Sequence, residues 1–471
     1  MKLRKFILPA ISLAVIVAAA ARIASAQLSE TDKQLSKSIL RQLIEIDTTN
    51  SSTPAAEAME KRFLDAGFSP SDIHLIGPNE QNQNLVVRYR GTGRYKPILL
   101  IGHLDVVQAL RKDWSTDPFQ FVEKDGYVYG RGTQDMKDGD AIMVTNLIRL
   151  KKQDYKPDRD IILALTTDEE GGDFNGVSWL LKNHRDLIDA AFVLNPDGGG
   201  VTTQNGKAIL VEVDASEKMY SDYTVTATNR GGHSSLPRPD NAIYELANAL
   251  VRLQHYQFPV QLDAVTRAYF QKQSTVLHGQ QAEDVKAILR TPPNPASVAR
   301  VSQDPFSNAT LRTTCVATVV RAGGANNALP QRAVANVNCR ILPGRTREQI
   351  RQKLIEVLAD PKISVQMVGG SLNGQANAEA EPPAPLNPQL MGAIDKIAAQ
   401  MWPGAPVVPA MSTGATDGKY TNAAGMPTYG VSGVAIEVGG DREHGKDERV
   451  RMSSYYDGVV FYYRLLKALT S

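Results

Sequence analysis

Three apolar runs that each empty into glycines beside a metal-capable side chain restrict this chain to a sheet whose strand ends share one site. Ile98-Leu99-Leu100-Ile101, bounded by Pro97 and Gly102, reads as a buried strand that delivers His103 at its carboxyl end. The run Ile161 to Leu165 leads into Thr166-Thr167-Asp168-Glu169-Glu170-Gly171-Gly172. The run Ala190 to Leu194 leads into Asn195-Pro196-Asp197-Gly198-Gly199-Gly200, with glycines that permit close backbone approach. Open α/β sheets bind their ligands at this end of their strands.

Each motif also has a plainer reading. A lone His103-x-Asp105 is usually structural, although Asp105 is placed to turn its carboxylate on the imidazole and fix its tautomer. Three consecutive acids repel one another and need cations nearby to ionise together, but they also suit a solvated turn. Far downstream, Glu443-His444-Gly445-Lys446-Asp447-Glu448 places a further histidine in a polar loop. Together these motifs describe a converging site for a hard metal.

The motif order then resembles a known family. Gly102 to Val107, Tyr129 to Lys137, Asp168 to Gly172, Pro196 to Gly199, Gly231-Gly232-His233-Ser234-Ser235, Asn327-Ala328-Leu329-Pro330 and Thr416-Asp417 occur in sequence. They are similar to those of the co-catalytic zinc family of aminoacylase, carboxypeptidase G, carboxypeptidase S, acetylornithine deacetylase and succinyl-diaminopimelate desuccinylase. The stretch from Leu311 through Gly344 most resembles the carboxypeptidase S branch. There are two departures: Asp138 intervenes where the family continues Asp-Met-Lys-Gly, and Gln108 stands where proline is common. Asp138 is expected to affect the turn into the next helix.

The resemblance implies a mostly parallel α/β catalytic domain with an inserted α+β lid or dimerisation domain. It also implies two Zn2+ ions bridged by Asp135, with Co2+ or Mn2+ as substitutes. His103 and Asp197 would complete one ion, Glu170 and His444 the other, about 3.5–4 Å apart. Glu169 would be the general base, Asp105 the orienting acid, and His233 of the insert the oxyanion donor. Asn327 and Arg340 would hold the substrate, with Arg340 suited to a carboxylate. The implied reaction is hydrolysis of an amide beside an amino acid with a free carboxylate. An N-acyl-amino-acid amidohydrolase uses the same machinery. The non-enzymatic alternative, a periplasmic binding protein on this fold, would be marked by a lost ligand or base, yet all six positions are filled.

At 471 residues and 42% apolar content the chain can bury two cores. Lys2, Arg4 and Lys5, the apolar run Phe6 to Ala21 and Ala24-Ser25-Ala26 read as a cleaved signal peptide over 1–26. Its run is short for a membrane span and holds Pro9, so a periplasmic or secreted product without a stable anchor is expected. The full chain has 52 basic and 50 acidic residues, and cleavage removes four basic residues and no acid. That balance gives no reason to expect nucleic acid or an anionic membrane as partner.

The catalytic domain is expected over 27–214 and 372–471, and the insert over 215–371. A leading helix is expected from Ser29 to Asp47, with further helices at Asn241 to Gln254, Thr346 to Leu358, Asn387 to Met401 and Ser453 to Leu469. The resemblance implies a homodimer paired at a strand edge of the insert, and the alternative is a monomer in which the polar, helix-prone segment Leu262 to Asn308 covers that edge. Ala376 to Pro385 reads as the return linker. Cys315 and Cys339 lie on consecutive strand-like runs, so a disulfide and two buried thiols are both open.

Overall fold

The structure, a computed structural model, describes residues 28–368 and 383–471. The expected signal segment and most of the expected return linker lie outside them, as does the expected boundary at 371/372.

The chain first lays down β1 (Ile73–Ile76), β2 (Asn84–Tyr89), β3 (Tyr95–His103), β4 (Val122–Lys124), β5 (Tyr127–Tyr129) and β6 (Arg159–Thr166). Next come β7 (Phe192–Asn195), β8 (Gly200–Gln204), β9 (Lys207–Glu217), β10 (Met219–Thr228) and β11 (Gly232–His233). After a helical stretch follow β12 (Thr314–Ala322), β13 (Ala328–Leu329), β14 (Arg332–Ile341) and β15 (Ile363–Met367). The last four are β16 (Val407–Ser412), β17 (Thr428–Gly430), β18 (Ala435–Glu437) and β19 (Arg449–Arg451).

The large sheet has the order β1-β2-β6-β3-β7-β17-β9-β8-β18, with β16 beside β9. Its central pairs β6/β3, β3/β7 and β7/β17 are parallel, as are β9/β16 and β8/β18. Buried on both faces, β3 and β6 are almost continuously apolar, as parallel strands under two helical layers must be. One face packs on the helices Glu30–Glu45, Lys137–Lys152 and Met452–Leu469, with Leu43, Ile142, Leu147 and Phe461 in the shared core. The leading helix is capped by Ser29, whose side chain accepts a hydrogen bond from the Asp32 N–H.

A second sheet, β12-β14-β10-β15, is wholly antiparallel. Its alternating strand β14 turns Ala333, Ala335, Val337 and Cys339 toward the helices Ala242–His255 and Arg347–Leu358. Both helices start next to the expected positions, capped by Asn241 and Thr346, the latter in a reciprocal capping box with Gln349. Cys315 and Cys339 face each other across β12 and β14 and form a disulfide. Of the two states open in the sequence, the paired one is present.

The segment after Leu262 departs from the covering alternative. It forms helices Ala264–Val276, Gly279–Ile288, Pro295–Val301 and Pro305–Leu311, and the first lies against β16 of the large sheet. Phe270, Ile288 and Leu311 pack with Val408 and Ala410 in their own small core. Burying each of the larger side chains contributes roughly 1.5–3 kcal/mol, and β16 of the large sheet supplies the apolar partners. The segment therefore leaves β12 as an edge, with Val316 and Val320 exposed. No helix among the described residues is long and apolar enough to cross a membrane.

Candidate metal centre and catalytic residues

Asp135 stands between two histidines from opposite ends of the chain. His103 Nε2 is 3.0 Å from Asp135 Oδ1, and His444 Nε2 is 2.9 Å from Asp135 Oδ2. His444 Nε2 is also 2.8 Å from Glu170 Oε2, and His103 Nε2 is 4.0 Å from Asp197 Oδ2. The five expected ligands thus form two groups that share Asp135: His103, Asp135 and Asp197, then Asp135, Glu170 and His444.

The protonation pattern supports cation binding. His103 is 2% exposed, and its Nδ1 lies 3.1 Å from the Asp105 carbonyl oxygen. Only a ring N–H can face that carbonyl, so a neutral ring turns a bare Nε2 lone pair toward the Asp135 carboxylate. A proton or a metal ion must lie between two such acceptors. In the protein alone the proton serves, and Asp135 and Glu170 raise the His444 pKa to about 10. Imidazole and carboxylate donors in two groups of three fit Zn2+ or a similar ion at each.

Asp105 corrects one expectation. Its carboxylate does not orient His103, from which Oδ1 stands 3.8 Å; the backbone carbonyl of the same residue does so. The carboxylate instead accepts the N–H groups of Glu169 at 3.1 Å and Glu170 at 2.9 Å. These two donors at the end of β6 would otherwise be unpaired, and they outcompete the imidazole for Asp105. Asp168, the first of the three acids, points elsewhere as well. It adopts a left-handed φ of 63°, and its carboxylate accepts the Phe174 N–H at 2.7 Å, closing the loop over itself. Glu169 is left alone beside the two metal groups, and burial, with Asp417 near it, pushes its carboxyl up to about 8.

The glycines have the expected use. A Cβ on Gly199 would lie 2.4 Å from the Gly430 carbonyl oxygen, so the loop after Asp197 could not pack on β17 with a side chain there. Asp138, the departure in the Asp135 loop, is buried at the start of helix Lys137–Lys152. Its Oδ1 accepts the Gly139 N–H at 2.8 Å, and burial pushes its carboxyl well up. The helix still begins at Lys137.

The insert residues are not brought to this cluster. His233 is exposed on the β11/β13 ribbon, with Nδ1 2.7 Å from Ser235 Oγ. Asn327 is exposed on the same ribbon, where its carbonyl accepts the Ser234 N–H. Arg340 lies on β14 with its guanidinium over the Tyr220 ring at 4.9 Å.

Three buried residues had no expected role, and two of them support the site. Glu448 is fully buried, pairs with Arg131 at 2.6 Å, and accepts the N–H groups of Gly132, Gln134 and Asp135. Asp417 accepts from Asn175 at 2.6 Å and Thr166 at 3.2 Å, tying the end of β6 to the turn that opens helix Gly418–Ala423. Lys218, between β9 and β10, is fully buried; burial and the neighbouring Arg340 lower its ammonium to about 7. A family motif had marked the Thr416-Asp417 pair, but nothing local in the sequence distinguishes Glu448 or Lys218.

The peptidase family M20/M25/M40 model matches residues 99–468. The human N-fatty-acyl-amino acid synthase/hydrolase is 27% identical over 383 residues, which cover 79% of this chain and 74% of that protein. A probable carboxypeptidase S-like protein of Dictyostelium discoideum is 28% identical over 402 residues, covering 82% and 74%. Among solved structures, an M20 family metallo-carboxypeptidase from Sulfolobus solfataricus superposes with a TM-score of 0.68 at 18% identity, covering 93% of this chain and 99% of that one. With the family match spanning most of its length, the chain belongs to peptidase family M20/M25/M40 and is a hydrolase of amide bonds.

Proposed function

We propose that the chain hydrolyses the amide bond beside an amino acid that carries a free carboxylate, in the manner of a dipeptidase or carboxypeptidase. The observation that carries this reading is the convergence of two histidine Nε2 atoms on the two oxygens of Asp135. Asp135 would bridge two zinc ions, with His103 and Asp197 completing one and Glu170 and His444 the other. Bound there, the ions would lower the pKa of a water toward ~7 and polarise the scissile carbonyl.

Glu169, adjacent to Glu170 but diverging from it, takes the proton of the attacking water on its carboxylate and returns it to the leaving amine. Asp105 keeps Glu169 and Glu170 in register through their backbone N–H groups. His233 and Asn327 serve the oxyanion once the ribbon that carries them reaches the site, by closure of the insert or from a second subunit.

Arg340 recognises the substrate carboxylate, with Lys218 as a second cation. Neither has an ion-pair partner among the described residues, and Arg340 acts directly on the buried Lys218. A substrate carboxylate seated there would pair with Arg340, on which Asp222 already acts, and would favour the charged form of Lys218. A second reading, N-acyl-amino-acid amidohydrolase, is favoured by the relative named as an N-fatty-acyl-amino acid synthase/hydrolase. An exported, oxidising location suits the Cys315–Cys339 disulfide.

The test is a screen of zinc-loaded protein against dipeptides, N-acetyl and long-chain N-acyl amino acids, and their C-terminally amidated counterparts. Turnover of the free acids with loss of turnover on amidation is expected. Equal turnover of acid and amide would overturn the carboxylate requirement.

A further inference from the structure

Behind the loop of Asp197, β9 carries an irregularity that nothing in the proposed reaction uses. Along β16, Ala410 pairs with Asp214 and Met411 with Ser216, so Ala215 is an extra residue bulged out of register. In a regular strand, side chains three apart point to opposite faces. The bulge cancels that alternation and lets Asp214 and Glu217 line one small space with Ser216, Asn195, Ser412 and Thr416.

The space is about 20 Å³, room for one water-sized occupant. Its oxygens are only partly committed. Asp214 Oδ2 accepts the Gly199 N–H at 2.8 Å, and Glu217 Oε2 accepts the Thr416 N–H at 2.8 Å and its hydroxyl at 3.0 Å. Glu217 Oε1 is buried without a partner. So is the hydroxyl of Ser216, a residue only 7% exposed. Glu212 adds a third acid nearby, and no ion pair among the described residues joins Asp214 or Glu217 to a cation. Lys419 acts on Glu217 only from beyond ion-pair distance.

We infer that this space is a separate cation site, built by the bulge to take one hard divalent ion of the Ca2+ class. Two carboxylates balance a divalent charge, and the unpartnered Ser216 hydroxyl adds an oxygen donor of the kind hard cations prefer. The Asn195 amide and the Thr416 hydroxyl are already engaged with each other and with backbone N–H groups. Zn2+ would find no nitrogen or sulfur here. Mg2+ holds several waters that a one-water space cannot admit. Burial pushes the carboxyls of both Asp214 and Glu217 up to about 7, consistent with a place that requires neutralisation. The ion would tie the Gly198–Gly199 backbone to the Thr416 turn, and so fix the loops that carry Asp197 and Asp417.

The experiment uses mature protein saturated with Zn2+, dialysed against graded CaCl2 and read by elemental analysis and thermal unfolding. Wild type is expected to take up one Ca2+ per chain, with a Kd near about 10⁻⁴–10⁻³ M if it resembles extracellular calcium modules, and to unfold at a higher temperature as it does. Asp135→Ala, which lacks the bridge of the zinc centre, should keep both responses. Glu217→Gln and Asp214→Asn should each weaken Ca2+ uptake at least tenfold. If Glu217→Gln does not fold, Asp214→Asn and Asp135→Ala decide between them. No Ca2+ beyond the zinc centre in wild type, or uptake lost in Asp135→Ala and kept in Asp214→Asn, overturns the inference.

Discussion

Glu448 and Arg131 form an ion pair at 2.6 Å with both side chains essentially removed from solvent. The same carboxylate holds the N–H groups of Gly132, Gln134 and Asp135, so the loop that presents Asp135 is wrapped around a single anion. Glu448→Ala would leave a buried guanidinium and three backbone donors unpaired, a loss of roughly 3–5 kcal/mol. Metal affinity should fall about 10–100-fold, as when a group supporting a ligand is removed. Denaturant unfolding and a chelator titration measure the two effects. Stability within experimental error of wild type would refute the wrapped-loop account.

Removing the shared ligand should cost more metal than removing an outer one. Asp135→Ala is expected to lose both ions on dialysis, whereas His103→Ala or His444→Ala should weaken mainly one. Elemental analysis distinguishes these outcomes. Two tightly held equivalents in Asp135→Ala would rule out a bridging role.

The pH response should reverse on metal loading. In the metal-free protein the His444 pKa is raised to about 10 by Asp135 and Glu170. A raised pKa means that this pairing stabilises the fold fully below the unfolded value of ~6.5 and is lost as pH rises through about 10. Metal must displace the same proton, so affinity at the Asp135–Glu170–His444 group should climb steadily between pH 6 and pH 9. Competition with a chromophoric chelator at each pH reads this directly. A flat profile would show that His444 does not carry the displaced proton.

Glu169→Gln should retain metal and substrate affinity yet lose turnover by about 10²–10⁴. Kinetics and metal content of the same preparation are needed together. Should this variant shed an ion while Glu170→Gln keeps both, the two neighbours have exchanged roles.

The exposed His233 offers a test of assembly. Glu169→Gln and His233→Ala, each inactive, are mixed under conditions that allow subunit exchange. If His233 serves a partner's site across the uncovered β12 edge, each mixed dimer holds one intact site and activity returns. A fully active monomer in sedimentation would assign His233 to its own chain through closure of the insert.

Legibility in the sequence followed the range over which each residue acts. The strands ending at His103, Thr166 and Asn195 were readable because an apolar run and its terminating glycine are local signals. The helices starting near Ser29, Asn241 and Thr346 were readable because their apolar spacing is also local. The five metal ligands came from motif order, which no periodicity supplies. In two places long-range competition decided. Asp105 was assigned to its sequence neighbour His103, but donors at the end of β6 claim its carboxylate. For Leu262 to Asn308, coverage of the insert's edge was one of two alternatives, but β16, about a hundred residues later, offers the apolar surface it packs on. Glu448 and Lys218 carry no local mark because their partners lie hundreds of residues away or across a sheet boundary.

The packing of helix Ala264–Val276 on β16 bears on how this protein can be trimmed. The insert looks like a removable cassette between Lys218 and the segment after Met367. Excising it whole would also strip Phe270, Ile288 and Leu311 from Leu210, Val408 and Ala410, leaving an oily scar on the catalytic half. A minimal catalytic unit must therefore keep the helices of 264–311 and close the chain across the bases of β10 and β12. The working boundary between the two halves is thus a surface drawn through the middle of the inserted sequence.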